Sequence, residues 1–255
     1  MERGPWWTTD PDRPLLGAWF SLASPGAVAT LARSGADWVL LDTQHGEHDD
    51  RSVRECLREV PPGSGAAPVL VRPGRLDEQE IGRALDAGAA GVVVPMVSTP
   101  EQARTAARAC RYAPAGGRSW GPHALLSGRA PVPPAQADAA VLCAVMVETR
   151  EGLAHVDAIA ATEGVDAVFV GPFDLSLELG TDVDALLAAD SPGDPLPTVV
   201  RACAAHGVLA GAFAVGAERA ARFRELGFRF LAAAADTELL AAGVRSRLEG
   251  LTGRA

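Results

Sequence analysis

The chain of 255 residues contains no lysine and no asparagine, and all 23 residues of its Lys+Arg count are arginine. Without lysine, no side chain can form a Schiff base with a carbonyl compound. Without asparagine, the chain offers no acceptor for N-linked glycans. Any carbonyl chemistry on this chain therefore needs another electrophile, and a bound metal ion is the natural candidate.

Long apolar runs are missing as well. No stretch approaches the roughly 20 apolar residues of a membrane span. Residues 1–13 are largely polar and lack the apolar core of a signal peptide, so we expect an N-terminal arm there. The four cysteines are too far apart for metal-binding CxxC spacing or for a disulfide framework, and they indicate reduced thiols in the cytoplasm: Cys56, Cys110, Cys143 and Cys203.

Positive charge is in deficit, because 23 basic residues face 32 acidic ones and the net charge is −9. This balance argues against nucleic acid and anionic membranes as main partners. It leaves an anionic small molecule open, since local arginines can override the net field. Hydrophobic residues make up 48% of the chain, which is enough for a sizeable core.

What the chain does contain is an alternation of strand-like and helix-like segments. Eight short apolar runs predict strands at 15–21, 37–42, 67–71, 91–95, 141–147, 167–170, 209–213 and 228–233. Each precedes a helix-like stretch, at 25–34, 49–60, 77–87, 99–110, 152–161, 195–206, 216–226 and 237–249. Eight βα units predict a single α/β domain over residues 1–255, a (β/α)8 TIM barrel. A doubly wound sheet would show a glycine-rich phosphate turn after an early strand, and none is found. Residues 112–140 and 174–194 are expected to form long loops at the C-terminal face.

Asp42 and His45 follow the second predicted strand. Their spacing would let the carboxylate reach the imidazole and fix its tautomer, which would make His45 a general base. The alternative is a turn aspartate beside a solvated histidine.

Arg72 follows the third predicted strand, and Pro73 keeps it out of helix geometry. A guanidinium at this strand end can hold a carboxylate or a developing enolate oxygen. The alternative is a structural ion pair with an acid of a neighbouring loop.

Glu148 and Asp174 lie at the ends of strands five and six, which are neighbours in a barrel. Two carboxylates without Cys or His beside them favour a hard divalent cation that keeps several waters, Mg²⁺, Mn²⁺ or Co²⁺. The alternative is that both cap the helices that follow. The Gly171–Pro172 turn places backbone N–H groups at a helix start, a cradle for a carboxylate.

Two further features carry weaker signals. Residues 112–121 form a glycine-rich loop, but it lacks the GKS/T ending and does not join a strand to a helix, so it is a poor phosphate loop. Asp86 lies late in the third helix and faces away from its own site. It would matter only if a neighbouring subunit brought it back.

Together these motifs resemble the HpcH/HpaI aldolase family of class II pyruvate aldolases, which includes 4-hydroxy-2-oxoheptanedioate and 2-dehydro-3-deoxyglucarate aldolases. The similarity runs from Gly17 to Leu240. The most specific blocks are Leu41-Asp42-Thr43-Gln44-His45-Gly46, Val71-Arg72-Pro73, Val94-Pro95-Met96-Val97, Val147-Glu148-Thr149-Arg150-Glu151-Gly152 and the segment from Gly164 to Ser176.

The resemblance implies metal-dependent cleavage and formation of 4-hydroxy-2-oxo acids, with pyruvate enolate as nucleophile and an aldehyde as partner. It implies Glu148 and Asp174 as metal ligands and His45 as general base, oriented by Asp42. It also implies that Arg72 binds the pyruvate oxygens. Residues Gly171, Pro172, Phe173 and Asp174 would form the carboxylate cradle. Asp86 would join the catalytic network from an adjacent subunit, which implies a homo-oligomer, a hexamer or trimer.

The chain departs from the family pattern in places. Met146 stands two residues before the ligand Glu148, where close relatives often carry Gln, and the loop after Tyr112 also differs. These changes leave the aldehyde open. Two other readings remain: oxaloacetate decarboxylation with enolate chemistry, as in macrophomate synthase, and a non-catalytic barrel that binds an oxo acid. The intact set Asp42, His45, Arg72, Glu148 and Asp174 argues against the second.

Overall fold

Eight parallel strands pair in sequence order, and the last pairs with the first to close a barrel. The structure is a computed structural model that describes residues 5–7, 13–127 and 130–252. The strands are β1 (Leu15–Phe20), β2 (Trp38–Asp42), β3 (Val69–Arg72), β4 (Gly91–Val94), β5 (Leu142–Val147), β6 (Ala167–Val170), β7 (Leu209–Phe213) and β8 (Phe230–Ala235). All eight predicted strands are present, with bounds within two residues of the prediction. The TIM barrel is therefore confirmed.

The helices surround this barrel. They are α1 (Pro25–Ala32), α2 (Asp50–Glu59), α3 (Glu78–Ala87), α4 (Pro100–Cys110), α5 (Pro134–Ala140), α6 (Arg150–Ala154), α7 (Val156–Ala160), α8 (Pro172–Leu179), α9 (Val183–Ala188), α10 (Pro195–His206), α11 (Ala217–Glu225) and α12 (Asp236–Thr252). A 3-10 helix spans His123–Ser127. The helix predicted over 152–161 is two short helices, α6 and α7, which meet at His155.

Helix boundaries follow local chemistry. Asp49 and Thr99 each form a capping box, at the starts of α2 and α4, in which side chain and backbone satisfy each other's free groups. Gly88 and Gly207 end α3 and α10 in the left-handed conformation that glycine adopts without steric penalty.

The prediction of a long loop over 174–194 is wrong, because most of this segment is helical in α8 and α9. Apolar residues in this acidic stretch turn inward: Leu175, Leu186 and Leu187 are buried. Asp182 caps α9 by accepting a hydrogen bond from the Ala185 amide. The acidic composition of this segment indicated a loop, although its apolar residues form a buried helical face.

The core has two layers. The barrel interior is filled by large side chains, chiefly Trp19, Trp38, Leu40, Leu70, Leu142, Met146, Phe169 and Phe230. A second layer of mostly Val, Ala and Leu packs between strands and helices. The interior is solid, as in other TIM barrels, so chemistry is confined to the C-terminal mouth.

The predicted arm over residues 1–13 is only partly within the described part of the chain. Trp7 is buried and packs with the interior layer. Residues 1–4 and 8–12 lie outside the described residues. Within the described ranges, no helix is both long enough and apolar enough to traverse a lipid bilayer. The four cysteines are buried and free, as predicted.

Candidate active site

Asp42 and Arg72 end neighbouring strands and are partners in the β2–β3 register. Because both sit at the same level of adjacent parallel strands, their side chains meet at the mouth. Nε of Arg72 donates to Oδ1 of Asp42 at 2.8 Å, and Nη2 donates to Oδ2 at 2.5 Å. The pair is buried. Two parallel hydrogen bonds fix the plane of the guanidinium.

Asp42 receives three more hydrogen bonds. The indole N–H of Trp19 donates at 3.2 Å, and the amides of Gln44 and His45 donate at 3.0 and 3.2 Å. Burial alone would raise the pKa of Asp42. The hydrogen bonds and the charge of Arg72 lower this pKa overall, together with the hydrogen bonds from Trp19 and Gln44. Asp42 is therefore held as a carboxylate.

The predicted contact between the Asp42 carboxylate and the His45 imidazole is not found among the described residues. Asp42 binds the main chain of His45 instead. The short turn after β2 brings the amides to the carboxylate, and Arg72 takes the remaining lone pairs. The His45 ring is exposed at the mouth. Within one chain, Asp42 orients Arg72 and the turn rather than the ring.

A second histidine in this turn escaped the sequence analysis. His48 is 5% exposed, and its Nε2 has no hydrogen-bond partner among the described residues. Burial lowers the pKa of His48, against the raising effect of the charges of Asp236 and Asp42. The spacing of His45 and His48, just before the helix cap Asp49, was the only sequence signal.

Glu148 follows β5 directly and is 2% exposed. Its Oε1 accepts a hydrogen bond from the Met96 amide at 2.7 Å. Burial raises the pKa of Glu148, and the charge of Asp174 raises it further, while the Met96 hydrogen bond and Arg72 act in the opposite direction. The buried Glu148 carboxylate and the exposed Asp174 carboxylate repel each other, and a cation bound by both would relieve this repulsion.

The donor set fits a hard divalent ion. Within the described residues, no group of three or more His, Cys, Asp or Glu could hold a metal. Two carboxylates alone suit an ion that completes its shell with water or substrate oxygens, as Mg²⁺ does. Capping does not explain them, because Thr149 caps α6 and Gly171 is the N-cap residue of α8.

Two neighbours shape this carboxylate pair in ways that the sequence motifs did not predict. Gly171 leaves the space that Glu148 occupies, since a Cβ at this position would collide with Oε2 of Glu148. Met96 has a φ of 57°, uncommon for a residue other than glycine, and this conformation accompanies the amide contact with Glu148. Met146 is buried in the interior layer and brings no polar group.

The predicted carboxylate cradle lies at the start of α8. Pro172 is its first residue and has no N–H, so the amides of Phe173 and Asp174 fall in the first turn, where no helix carbonyl can accept from them. Such amides, together with the helix dipole, attract anions. The structure thus brings Gly171, Pro172, Phe173 and Asp174 next to Glu148.

Asp86 is not brought to this mouth within one chain. It accepts a hydrogen bond from Arg118 at 2.8 Å, and Arg118 lies over the Tyr112 ring. The glycine-rich loop is therefore tied to α3. Its Gly116 packs against the Arg111 and Arg108 carbonyls. A role of Asp86 across a subunit boundary stays a prediction.

One cavity of the described part lies beside the mouth rather than on the barrel axis. It has about 480 Å³ between the starts of α2 and α3, and its walls include Thr43, His48, Pro73 and Arg75. The arginines that line this cavity already form ion pairs with acidic side chains. The active site is assigned from the chemistry of the strand ends instead.

A TIM barrel with a buried glutamate, an exposed aspartate near it and an oriented arginine at its C-terminal mouth belongs to the class of barrel enzymes. The family model described as HpcH/HpaI aldolase/citrate lyase matches residues 15–242, and the chain belongs to this family. It is an enzyme of the aldolase type, a carbon–carbon lyase. The resemblance in the sequence is confirmed.

Individual relatives agree. The chain is 39% identical to the hydroxypyruvate/pyruvate aldolase of Deinococcus radiodurans, with 92% of this chain and 84% of that protein covered. It is 36% identical to the 4-hydroxy-2-oxo-heptane-1,7-dioate aldolase of Klebsiella pneumoniae, with 92% and 88% covered. An HpcH/HpaI aldolase/citrate lyase family protein from Burkholderia cenocepacia has a TM-score of 0.84 at 33% identity, covering 94% of this chain and 95% of that one.

Proposed function

We propose that this enzyme cleaves and forms 4-hydroxy-2-oxo acids, with pyruvate or a close 2-oxo acid as the nucleophilic half and an aldehyde as the other. The observation that carries the proposal is the buried Glu148 facing Asp174, beside Arg72. A divalent cation held by these carboxylates, Mg²⁺, Mn²⁺ or Co²⁺, would supply a Lewis acid for the oxygens of the 2-oxo acid.

Arg72 has the geometry to steady an enolate oxygen. Asp42 occupies its Nε and Nη2, and Nη1 has no hydrogen bond with the described residues. The pair keeps the guanidinium in one orientation before substrate arrives, so no reorganisation is needed when charge develops. The amides of Phe173 and Asp174 would bind the substrate carboxylate.

His45 would move the proton of the C4 hydroxyl. Its exposed ring lies at the mouth, free to reach substrate directly or through one water. Asp42 fixes the main chain of His45 but leaves its ring unoriented. We propose that Asp86 of a neighbouring subunit orients the ring.

A homo-oligomer, a hexamer or trimer, follows from this need for a neighbour. The exposed apolar residues of α12 support it, because Leu239, Leu240, Val244 and Leu251 face solvent in the single chain. Contiguous exposed apolar surface usually marks an interface. The reduced thiols support a cytoplasmic location.

Pyruvate release tests the function. The protein, stripped with EDTA, is given a 4-hydroxy-2-oxo acid, and pyruvate is followed before and after Mg²⁺, Mn²⁺ or Co²⁺ is restored. We expect activity only with metal. Full activity after complete metal removal would contradict the mechanism. Oxaloacetate is run in parallel, and turnover of oxaloacetate alone would favour the decarboxylase alternative.

A further inference from the structure

Two arginines at the mouth differ in their partners. Arg72 is paired with Asp42, whereas Arg219 forms no ion pair with any carboxylate of the described residues. Within the described ranges, its one hydrogen bond runs from Nη1 to the Val215 carbonyl at 3.4 Å, near the limit of such contacts. An unpaired, half-buried guanidinium is notable in a chain of net charge −9.

Arg219 does have an aromatic partner. It lies in the first turn of α11, and its guanidinium carbon is 5.3 Å from the centroid of the Phe173 ring. A cation over an aromatic face is attracted by the ring and loses little hydration when it does so. The contact therefore restrains the side chain while its nitrogens stay available.

Phe173 belongs to a continuous row of rings. Its centroid is 6.2 Å from that of Phe213 at the end of β7, and Phe213 is 5.2 Å from Trp19. Trp19 in turn lies under Arg72, at 4.8 Å. The row thus begins at the proposed pyruvate side of the mouth and ends at Arg219. Phe173 is 48% exposed, so the outer part of the row is open to a ligand.

From this arrangement we infer that Arg219 binds an anionic group at the far end of the acceptor aldehyde, while the aldehyde's carbon chain lies along Phe173 and Phe213. The inference rests on the proposed aldolase function and narrows its substrate class to short aldehydes that end in a carboxylate. A guanidinium matches a carboxylate with two parallel hydrogen bonds. The rings supply apolar contact without a polar group of their own.

The test compares two aldehydes of equal length, succinic semialdehyde and butanal, in aldol addition to pyruvate with metal present. Arg219→Leu removes the guanidinium, Arg219→Lys keeps a charge, and Arg224→Leu is the control, since Arg224 is exposed on the same helix away from the mouth. We expect Arg219→Leu to lower kcat/KM for succinic semialdehyde by about 10- to 100-fold, mainly through KM. The loss should be confined to the anionic aldehyde, with Arg219→Lys in between and Arg224→Leu unchanged.

Three outcomes overturn the inference. The ratio of kcat/KM for the two aldehydes could be the same in wild type and Arg219→Leu, which would reduce Arg219 to a surface contact. The kcat/KM could fall equally for both aldehydes in Arg219→Leu, which would show a structural role for Arg219. If wild type adds neither aldehyde to pyruvate with metal restored, the proposed function fails and the inference with it.

Discussion

The two acid-containing pairs at the barrel mouth are neutralised in different ways. At the ends of β2 and β3, Asp42 meets Arg72, and the chain balances its own charge. At the ends of β5 and β6, Glu148 lies near Asp174, and burial, together with the charge of Asp174, raises the pKa of Glu148. The first pair is complete when the chain folds. The second is where we propose that a divalent cation binds and the reaction takes place.

The largest effect should come from the pair of Glu148 and Asp174. Glu148→Gln removes one carboxylate but keeps an acceptor for the Met96 amide. Loss of groups that only support a metal ligand already weakens binding by about 10- to 100-fold, so loss of the ligand should exceed this. Calorimetry with Mn²⁺ measures it. We expect the metal-free variant to be at least as stable as wild type, because a repelled buried charge is gone.

The control for this variant is Glu151→Gln, one turn further on and exposed. Its Mn²⁺ affinity should equal that of wild type. Unchanged Mn²⁺ binding in Glu148→Gln would show that the two carboxylates are not the ligands, and the contrast between the two pairs would be lost.

At the complete pair, Asp42 and Arg72, we expect mutation to lower the stability of the folded protein instead. Asp42→Ala leaves the Arg72 charge buried and unpaired, which costs about 3–5 kcal/mol. Urea unfolding of the metal-free protein measures this loss. Asp42→Leu combined with Arg72→Met should recover most of it, because an apolar pair of similar volume is often neutral.

An exposed ion pair is the control for these variants of the Asp42–Arg72 pair. Asp157→Ala breaks the contact of Asp157 with His206 and should change stability by no more than about 1 kcal/mol. Equal effects of Asp42→Ala and Asp157→Ala would mean that burial does not set the worth of the Asp42–Arg72 pair.

The smallest effect concerns His48, which packs near the complete pair. The charged groups around it are Asp236, Asp42, Asp49 and Glu47. Its folded pKa is lowered, so its neutral form contributes stability that is fully present above the unfolded value of about 6.5. That stability is lost as pH falls below about 6.5, at no more than about 1.4 kcal/mol per pH unit.

Urea unfolding of wild type and His48→Gln at several pH values between 5 and 7.5 measures this contribution, because other titrating groups cancel in the difference. We expect the variant to lose less stability on acidification. His206→Gln, at a more exposed position, is the control. A wild-type curve no steeper than that of His48→Gln would show that His48 is protonated without penalty in the fold.

The strand ends were predictable for a general reason. Buried parallel strands read as short apolar runs, and their carboxyl ends meet at one face of a barrel. Order along the chain therefore placed Asp42, Arg72, Glu148 and Asp174 at the mouth. Neighbouring strand numbers also predicted that Glu148 and Asp174 lie close together, whereas the pairing of Arg72 with Asp42 was not predicted.

Two individual contacts between neighbouring units of the barrel were beyond that reasoning. Trp19 reaches Asp42 from another strand, and the Met96 amide reaches Glu148 from a loop. Both depend on side-chain directions and backbone angles that no periodicity encodes. The assumed Asp42–His45 ring contact failed for a related reason, since spacing of three residues fits a backbone hydrogen bond as well as a side-chain one.

The missing side chain of Gly171 has a consequence for redesign of this enzyme. Residues around Phe173 are natural targets for anyone who wishes to change the aldehyde. Gly171 lies only two positions away, yet a single added methyl group there would push against Glu148. Libraries that vary this loop should leave position 171 constant, because variation at that point would alter the reaction centre when only the substrate range was meant to change.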